Sequence, residues 1–133
     1  MRQDVYSATV KLLGEEHEGT LVEANNYASI LNELKRLEDV KSLLRKTIPV
    51  AQRVLGDSRD VTLTMRWAYA RALYLNTDAT LDDVREAVTT LEDTARTARR
   101  VLGGSHPTTA GLASVLEDSR AALRAREAPS SET

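Results

Sequence analysis

A leucine followed by glycine recurs at Leu13-Gly14, Leu55-Gly56 and Leu102-Gly103, with successive leucines 42 and 47 residues apart. The fullest copy runs Val101, Leu102, Gly103, Gly104, Ser105, His106, Pro107, Thr108, Thr109. The two earlier copies are Val54, Leu55, Gly56, Asp57, Ser58, Arg59, Asp60, Val61, Thr62 and Leu12, Leu13, Gly14, Glu15, Glu16, His17, Glu18, Gly19, Thr20. Each reads as a helix end, a turn and a helix start. Glycine accepts the left-handed backbone that stops a helix, and Pro107 suits a first helical turn, where its missing N–H leaves no bond unmade. Recurrence at such a period marks stacked helical units, none of which can bury its apolar face alone. The turns are therefore joints, and they constrain everything between them.

Between the joints the apolar residues keep helical spacing. Val5, Tyr6, Thr9, Leu12 and Leu13 make a short helix ending at Gly14, which the 42-residue offset aligns with Leu44 to Leu55, the later part of a unit. Thr20 to Leu34 carries Leu21, Ala24, Tyr27, Ala28 and Leu31 on one stripe, with Thr20 as N-cap and Glu23 completing a capping box. This is the first A helix. The first B helix spans Leu37 to Leu55 with Leu37, Val40, Leu44, Ile48, Ala51 and Leu55 inward, and Pro49 inside it predicts a kink near Arg45 to Pro49. The second A helix covers Val61 to Leu75, with Arg66, Tyr69, Ala70 and Leu73 in the places of Ala24, Tyr27, Ala28 and Leu31. Five extra residues within Asn76 to Asp83 account for the longer second spacing. There Thr80 and Asp83 form a cap for a second B helix that buries Val84, Ala87, Leu91, Ala95, Ala98 and Leu102. A last helix runs from Pro107 to about Glu127. At its inward places stand Glu117 and Arg120, so it reads as a solvating cap of the kind that ends a repeat array. Residues 128–133 have disordered composition, leaving 1–127 as one repeat domain.

Composition excludes several classes. Basic and acidic side chains number 18 and 20, for a formal net charge of -2, and neither half of the chain is a basic arm, so broad attraction to nucleic acid or anionic lipid is not expected. Cysteine is absent, which rules out disulfides and thiolate metal sites. No apolar run approaches the roughly 20 residues that span a bilayer, and the first residues lack the apolar core of a signal peptide, so the expected setting is soluble and cytoplasmic.

The period, the Leu-Gly-x-x-His-Pro-x-Thr turn at Leu102 to Thr109, and Asn25, Asn26, Tyr27, Ala28 on an A helix resemble tetratricopeptide repeats of the kinesin light chain type. The resemblance covers roughly residues 5 to 127. It departs from the family pattern where Lys35 stands for the turn glycine between A and B helices, and where Trp67-Ala68 and Ser114-Val115 replace the asparagine pair. The first two turns also lack the proline. The fold class this implies is all-α: a right-handed superhelix of antiparallel helix pairs, with an N-terminal half repeat, two full repeats and a capping helix. The family lays peptides along the concave face built from A helices. Position by position, that face corresponds here to Val22, Asn25, Ser29, Asn32 and Glu33, then Thr64, Trp67, Arg71, Tyr74 and Leu75, then Ser114, Asp118 and Ala121. Of these, Asn25, Ser29, Asn32, Glu33, Trp67, Arg71 and Tyr74 are the expected binding residues. An amide both donates and accepts, suiting Asn25 and Asn32 to a peptide backbone. Trp67 and Tyr74 would serve as aromatic anchors, and Arg71 would meet a carboxylate or an aromatic face. The competing reading of Trp67 is packing on a neighbouring helix.

Other candidates give way to structural readings. His17 and His106 occupy equivalent turn positions without a second ligand at metal spacing, so a turn role is expected of both. Glu15-Glu16, Glu38-Asp39 and Asp82-Asp83 are turn or helix-start charges, and Arg96, Arg99 and Arg100 suit the negative end of the second B helix. Gly103-Gly104 follows no strand and precedes no lysine in register, which excludes a phosphate loop. No nucleophile, base or metal set supports catalysis, and no cofactor is implied. The expected function is a non-enzymatic adaptor that takes a protein or peptide segment in its groove. The alternative is an architectural subunit or homo-oligomer that packs another chain on its incomplete N-terminal repeat.

Overall fold

A computed structural model describes residues 2–128, which form six α-helices and no strand. These are α1 (Arg2–Leu13), α2 (Glu18–Glu33), α3 (Leu37–Val54), α4 (Asp60–Leu75), α5 (Leu81–Leu102) and α6 (Pro107–Glu127). Apart from Ala128, the tail expected to be disordered lies outside the described residues.

The three joints take one conformation. Gly14, Gly56 and Gly103 follow the helix ends with φ of +87°, +90° and +91°, a region that costs an L side chain about 1–2 kcal/mol. Past the glycine, histidine starts the next helix at two of the three joints. His17 Nδ1 accepts the N–H of Gly19 at 2.9 Å, and His106 Nδ1 accepts that of Thr108 at 3.1 Å. Both histidines are N-caps, which satisfies the turn role expected of them. At the middle joint Arg59 occupies the cap place and makes no side-chain cap.

Thr20 is not the cap that its sequence context suggests. The helix starts earlier, at Glu18, and the Thr20 side chain turns inward, 2% exposed, to donate to the Gly14 carbonyl at 2.6 Å. It thereby ties the joint to the helix that follows it. The expected box between Thr80 and Asp83 does form: Thr80 Oγ1 accepts the Asp83 N–H at 3.1 Å, and Asp83 Oδ2 accepts the Thr80 N–H at 3.0 Å. That backbone bond is the main reason the Asp83 carboxyl titrates below its usual range. α3 stays helical through Pro49 without a break.

Each helix packs on the next in sequence, and in addition α2 touches α4 and α4 touches α6. No Cα of α3 comes within 8 Å of α5, or of α1 within 8 Å of α3. The A helices therefore share one layer and the B helices stand apart behind it. Leu21, Ala24, Ala28, Leu31, Val40, Leu44, Ala51, Leu63, Met65, Ala70, Leu73, Val84, Ala87, Leu91, Ala98 and Leu112 are 2% exposed or less, forming a core that runs the length of the array. Each large member contributes about 1.5–3 kcal/mol by leaving water. Arg66, at the place of Ala24, is 8% exposed; its guanidinium reaches Asp93 of α5 at 2.7 Å. On α6, Glu117 is exposed and Arg120 half-buried, with Arg120 pairing to Glu117 at 2.9 Å and to Glu92 of α5 at 3.1 Å. Of these two places, Glu117 is open to solvent and Arg120 reaches back to α5.

Between α2 and α3 the turn glycine of the repeat pattern is Lys35, with φ of +62°, the sole non-glycine residue at positive φ among the described residues. Lys35→Gly should relieve that strain. After allowance for the freer unfolded chain, it is expected to stabilise by about 0.5–1 kcal/mol in urea denaturation. Asp83→Ala should cost about 1 kcal/mol near neutral pH. Because the native Asp83 pKa is lowered, its contribution is present above the ordinary aspartate value and lost as pH falls through the native one. Denaturation curves of the two proteins should accordingly converge in acid.

Candidate interaction groove

Where α2 and α4 run side by side, their outward positions face each other across an open cavity of about 570 Å³. Ser29, Asn32 and Glu33 line it from α2, Arg71 and Leu75 from α4, and Lys35 and Leu37 from the turn that leads into α3. The helical rhythm explains the α2 set: positions 29, 32 and 33 follow at three and four residues and share one face. Ser29 and Glu33 are exposed and Asn32 is half-buried. Leu75 is 46% exposed at the end of α4, giving the polar cavity an apolar wall.

The charges here lie outside the ion pairs that engage about half of the charged groups of the chain. Elsewhere Arg36 holds Asp39, Arg53 holds Glu16, Arg59 holds Glu18 and Arg85 holds Glu127. Glu33, Lys35 and Arg71 take part in no ion pair among the described residues, and neither does Asp118 on α6 nearby. Tyr74, one turn past Arg71, is half-buried. Burial pushes its hydroxyl pKa up, and the charge of Asp118 adds to the shift while Arg71 opposes it. Tyr74 and Arg71 are thus close enough to interact, with Asp118 completing a polar strip from α4 to α6.

The remaining expected residues lie differently. Asn25 is half-buried and its side-chain oxygen is fully enclosed without a hydrogen-bond partner. It is not among the residues around the 570 Å³ cavity. Trp67 is half-buried and lies against Gly111 of α6: a Cβ at Gly111 would fall 2.3 Å from Trp67 Cη2. The ring fills the space that glycine leaves between two A helices, so packing accounts for this part of its surface. Val22, Ser114, Asp118 and Ala121 are exposed, and Thr64 is half-buried.

No protein-family model matches the chain, and no curated protein matches it. The groove is therefore read from its own residues.

Two features escaped the sequence. Lys35 and Leu37 join the groove because the tight α2–α3 turn folds them back beside Leu75; the lysine in place of a turn glycine was the available signal. On the opposite side, Arg45 of α3, Tyr69 of α4 and Glu86 of α5 form a bridge across the gap between the two B helices. Arg45 Nε and Nη2 donate to the Tyr69 oxygen at 3.1 and 3.0 Å, and the Tyr69 hydroxyl donates to Glu86 Oε2 at 2.6 Å. The Arg45 guanidinium carbon also stands 5.8 Å from the Tyr69 ring centre. Burial raises the Tyr69 pKa, and its bond to Glu86 reinforces the effect. The bridge spans a cavity of about 280 Å³ whose charged groups already satisfy one another.

Among the described residues no His, Cys, Asp and Glu cluster has the arrangement to hold a metal ion, and no helix is long and apolar enough to cross a membrane.

Because Trp67 is the chain's one tryptophan, its emission reports the α4–α6 contact directly. Gly111→Ala should displace the indole, shift emission to longer wavelength and cost about 1–3 kcal/mol. An unchanged spectrum and stability would remove Trp67 from that contact.

Proposed function

We propose that this chain is a non-enzymatic adaptor of the tetratricopeptide type, a right-handed superhelix whose concave A-helix face takes an extended peptide or partner segment in the cytoplasm. The observation that carries the reading is the cavity between α2 and α4, where Glu33, Lys35 and Arg71, none in an ion pair among the described residues, line one space with Asn32 and exposed Leu75. A mixed set of this kind suits a peptide. The amide pairs with a backbone, the charges select side chains of opposite sign, and the apolar wall receives one hydrophobic residue. A layer of A helices touching one another, with B helices behind it, is the arrangement such a groove requires. The joint glycines, the histidine caps and the left-handed Lys35 at the turn-glycine place agree with the resemblance drawn from sequence.

A displayed library of random peptides, panned on the purified chain, supplies the test. Selected peptides should share a spacing of one apolar and one charged residue and lose affinity about tenfold on Asn32→Ala or Arg71→Ala, a loss of about 1.4 kcal/mol. Circular dichroism should remain unchanged, because Arg71 makes no ion pair and Asn32 is only half-buried. Binding that ignores both substitutions would overturn the groove assignment.

A further inference from the structure

Exposed apolar surface gathers at one edge of the array. Of nine exposed large apolar residues among the described residues, six lie on or beside α1 and α2: Val5, Leu12, Leu13, Val22, Ile30 and Leu34. Repeat correspondence shows why. Val5 and Thr9 hold the places of Thr47 and Ala51 in α3 and of Thr94 and Ala98 in α5. Those four are 6%, 0%, 0% and 0% exposed, whereas Val5 is 43% exposed. On α2, Val22 holds the place of Gly111 in α6, the residue against which the preceding A helix lays Trp67. Val22 is 37% exposed. Val5 and Val22 thus both face the side on which the later repeats carry a covering helix.

The charges on α1 indicate what covers this face. Val5, Ala8 and Leu12 follow at three and four residues, the spacing of a helix-pairing seam. Asp4 and Lys11 lie seven residues apart along one border of that seam, both exposed and neither in an ion pair among the described residues. When two such helices run antiparallel about a two-fold axis, Asp4 of each copy lies opposite Lys11 of the other. In parallel register the two copies of this border would lie on opposite sides of the seam, and Asp4 and Lys11 would not meet. No large apolar residue of α6 is exposed, and its Arg120 is already paired with Glu117 and Glu92, so the opposite edge does not complement this apolar face. Head-to-tail growth is disfavoured and a closed pair favoured.

We propose that two copies of this chain dimerise through their α1 faces, packed antiparallel on Val5, Ala8 and Leu12 and held in register by two Asp4–Lys11 pairs. The assignment is independent of the peptide groove. Its interface is small, so the dissociation constant is expected on the order of 10–100 µM.

Sedimentation equilibrium from low micromolar to millimolar concentration tests it. The chain should shift from monomer to dimer, and Leu12→Glu should hold it monomeric with unchanged helicity, since Leu12 is 82% exposed and supports no core. Lys11→Glu should weaken the dimer by about tenfold, and the exchanged pair Asp4→Lys with Lys11→Asp should restore it. The exchanged pair keeps the register test independent of any single variant's folding. Arg71→Ala should leave the constant unmoved. A chain that stays monomeric at millimolar concentration would overturn the proposal, as would a dimer indifferent to Leu12→Glu or to Lys11→Glu.

Discussion

Each internal B helix must satisfy two A helices at once, its own and the next, and the rest of the structure follows from that. α3 does so with Val40, Leu43, Leu44, Thr47, Ile48 and Ala51, all buried between α2 and α4. α5 repeats the solution between α4 and α6 with Val84, Ala87, Val88, Leu91 and Ala98. Two-sided burial fixes both neighbours with one apolar face, so stability accumulates along the array through nearest-neighbour interfaces. It also keeps the backbones of α3 and α5 apart, and the Arg45, Tyr69 and Glu86 bridge spans the space between them with long polar side chains.

The polar interactions divide by burial. Arg66 is 8% exposed and holds Asp93, so removing the acid would strand a charge inside the fold. The pairs Arg59–Glu18 and Arg53–Glu16 connect successive joints, but their side chains are about half exposed or more, and such pairs are worth ~0–1 kcal/mol. Joint geometry rests instead on the positive φ of Gly14, Gly56 and Gly103, and at two joints on an imidazole cap. Core and joints therefore carry the fold, and the exposed ion pairs add little to it.

The two surfaces proposed for interaction are consequences of the same plan. A helices that pack side by side leave a furrow between their outward faces, and that furrow collects Asn32, Glu33, Arg71 and Leu75 without any of them holding the core. A B-type helix at the start of the array, α1, has a next A helix but none ahead of it among the described residues, so Val5 stays exposed where Thr47 and Thr94 are covered. On α6 the corresponding surface is polar, with Glu117 exposed and Arg120 tied to Glu92 of α5.

How far the sequence reached depended on the range of the interactions involved. Helix periodicity, the joint glycines, the Thr80–Asp83 box and the polar character of α6 are encoded over a few residues, and they were legible without a structure. Thr20 was misread because its hydroxyl bonds across a turn to Gly14, a choice that depends on how the preceding helix is placed. The same limit applied to the groove. The resemblance, carried over position by position, named Ser29, Asn32, Glu33 and Arg71 as outward positions. Whether a side chain then faces a furrow or a neighbour is a property of two helices together. Tertiary packing decided that Trp67 lies on Gly111, that Asn25 encloses its oxygen, and that Lys35 and Leu37 fold back beside Leu75. The sequence by itself determined the helices and the period of their joints, because those follow from local backbone preference and apolar spacing. Only the tertiary structure decided which polar groups are left without partners, because that depends on distances between residues tens of positions apart.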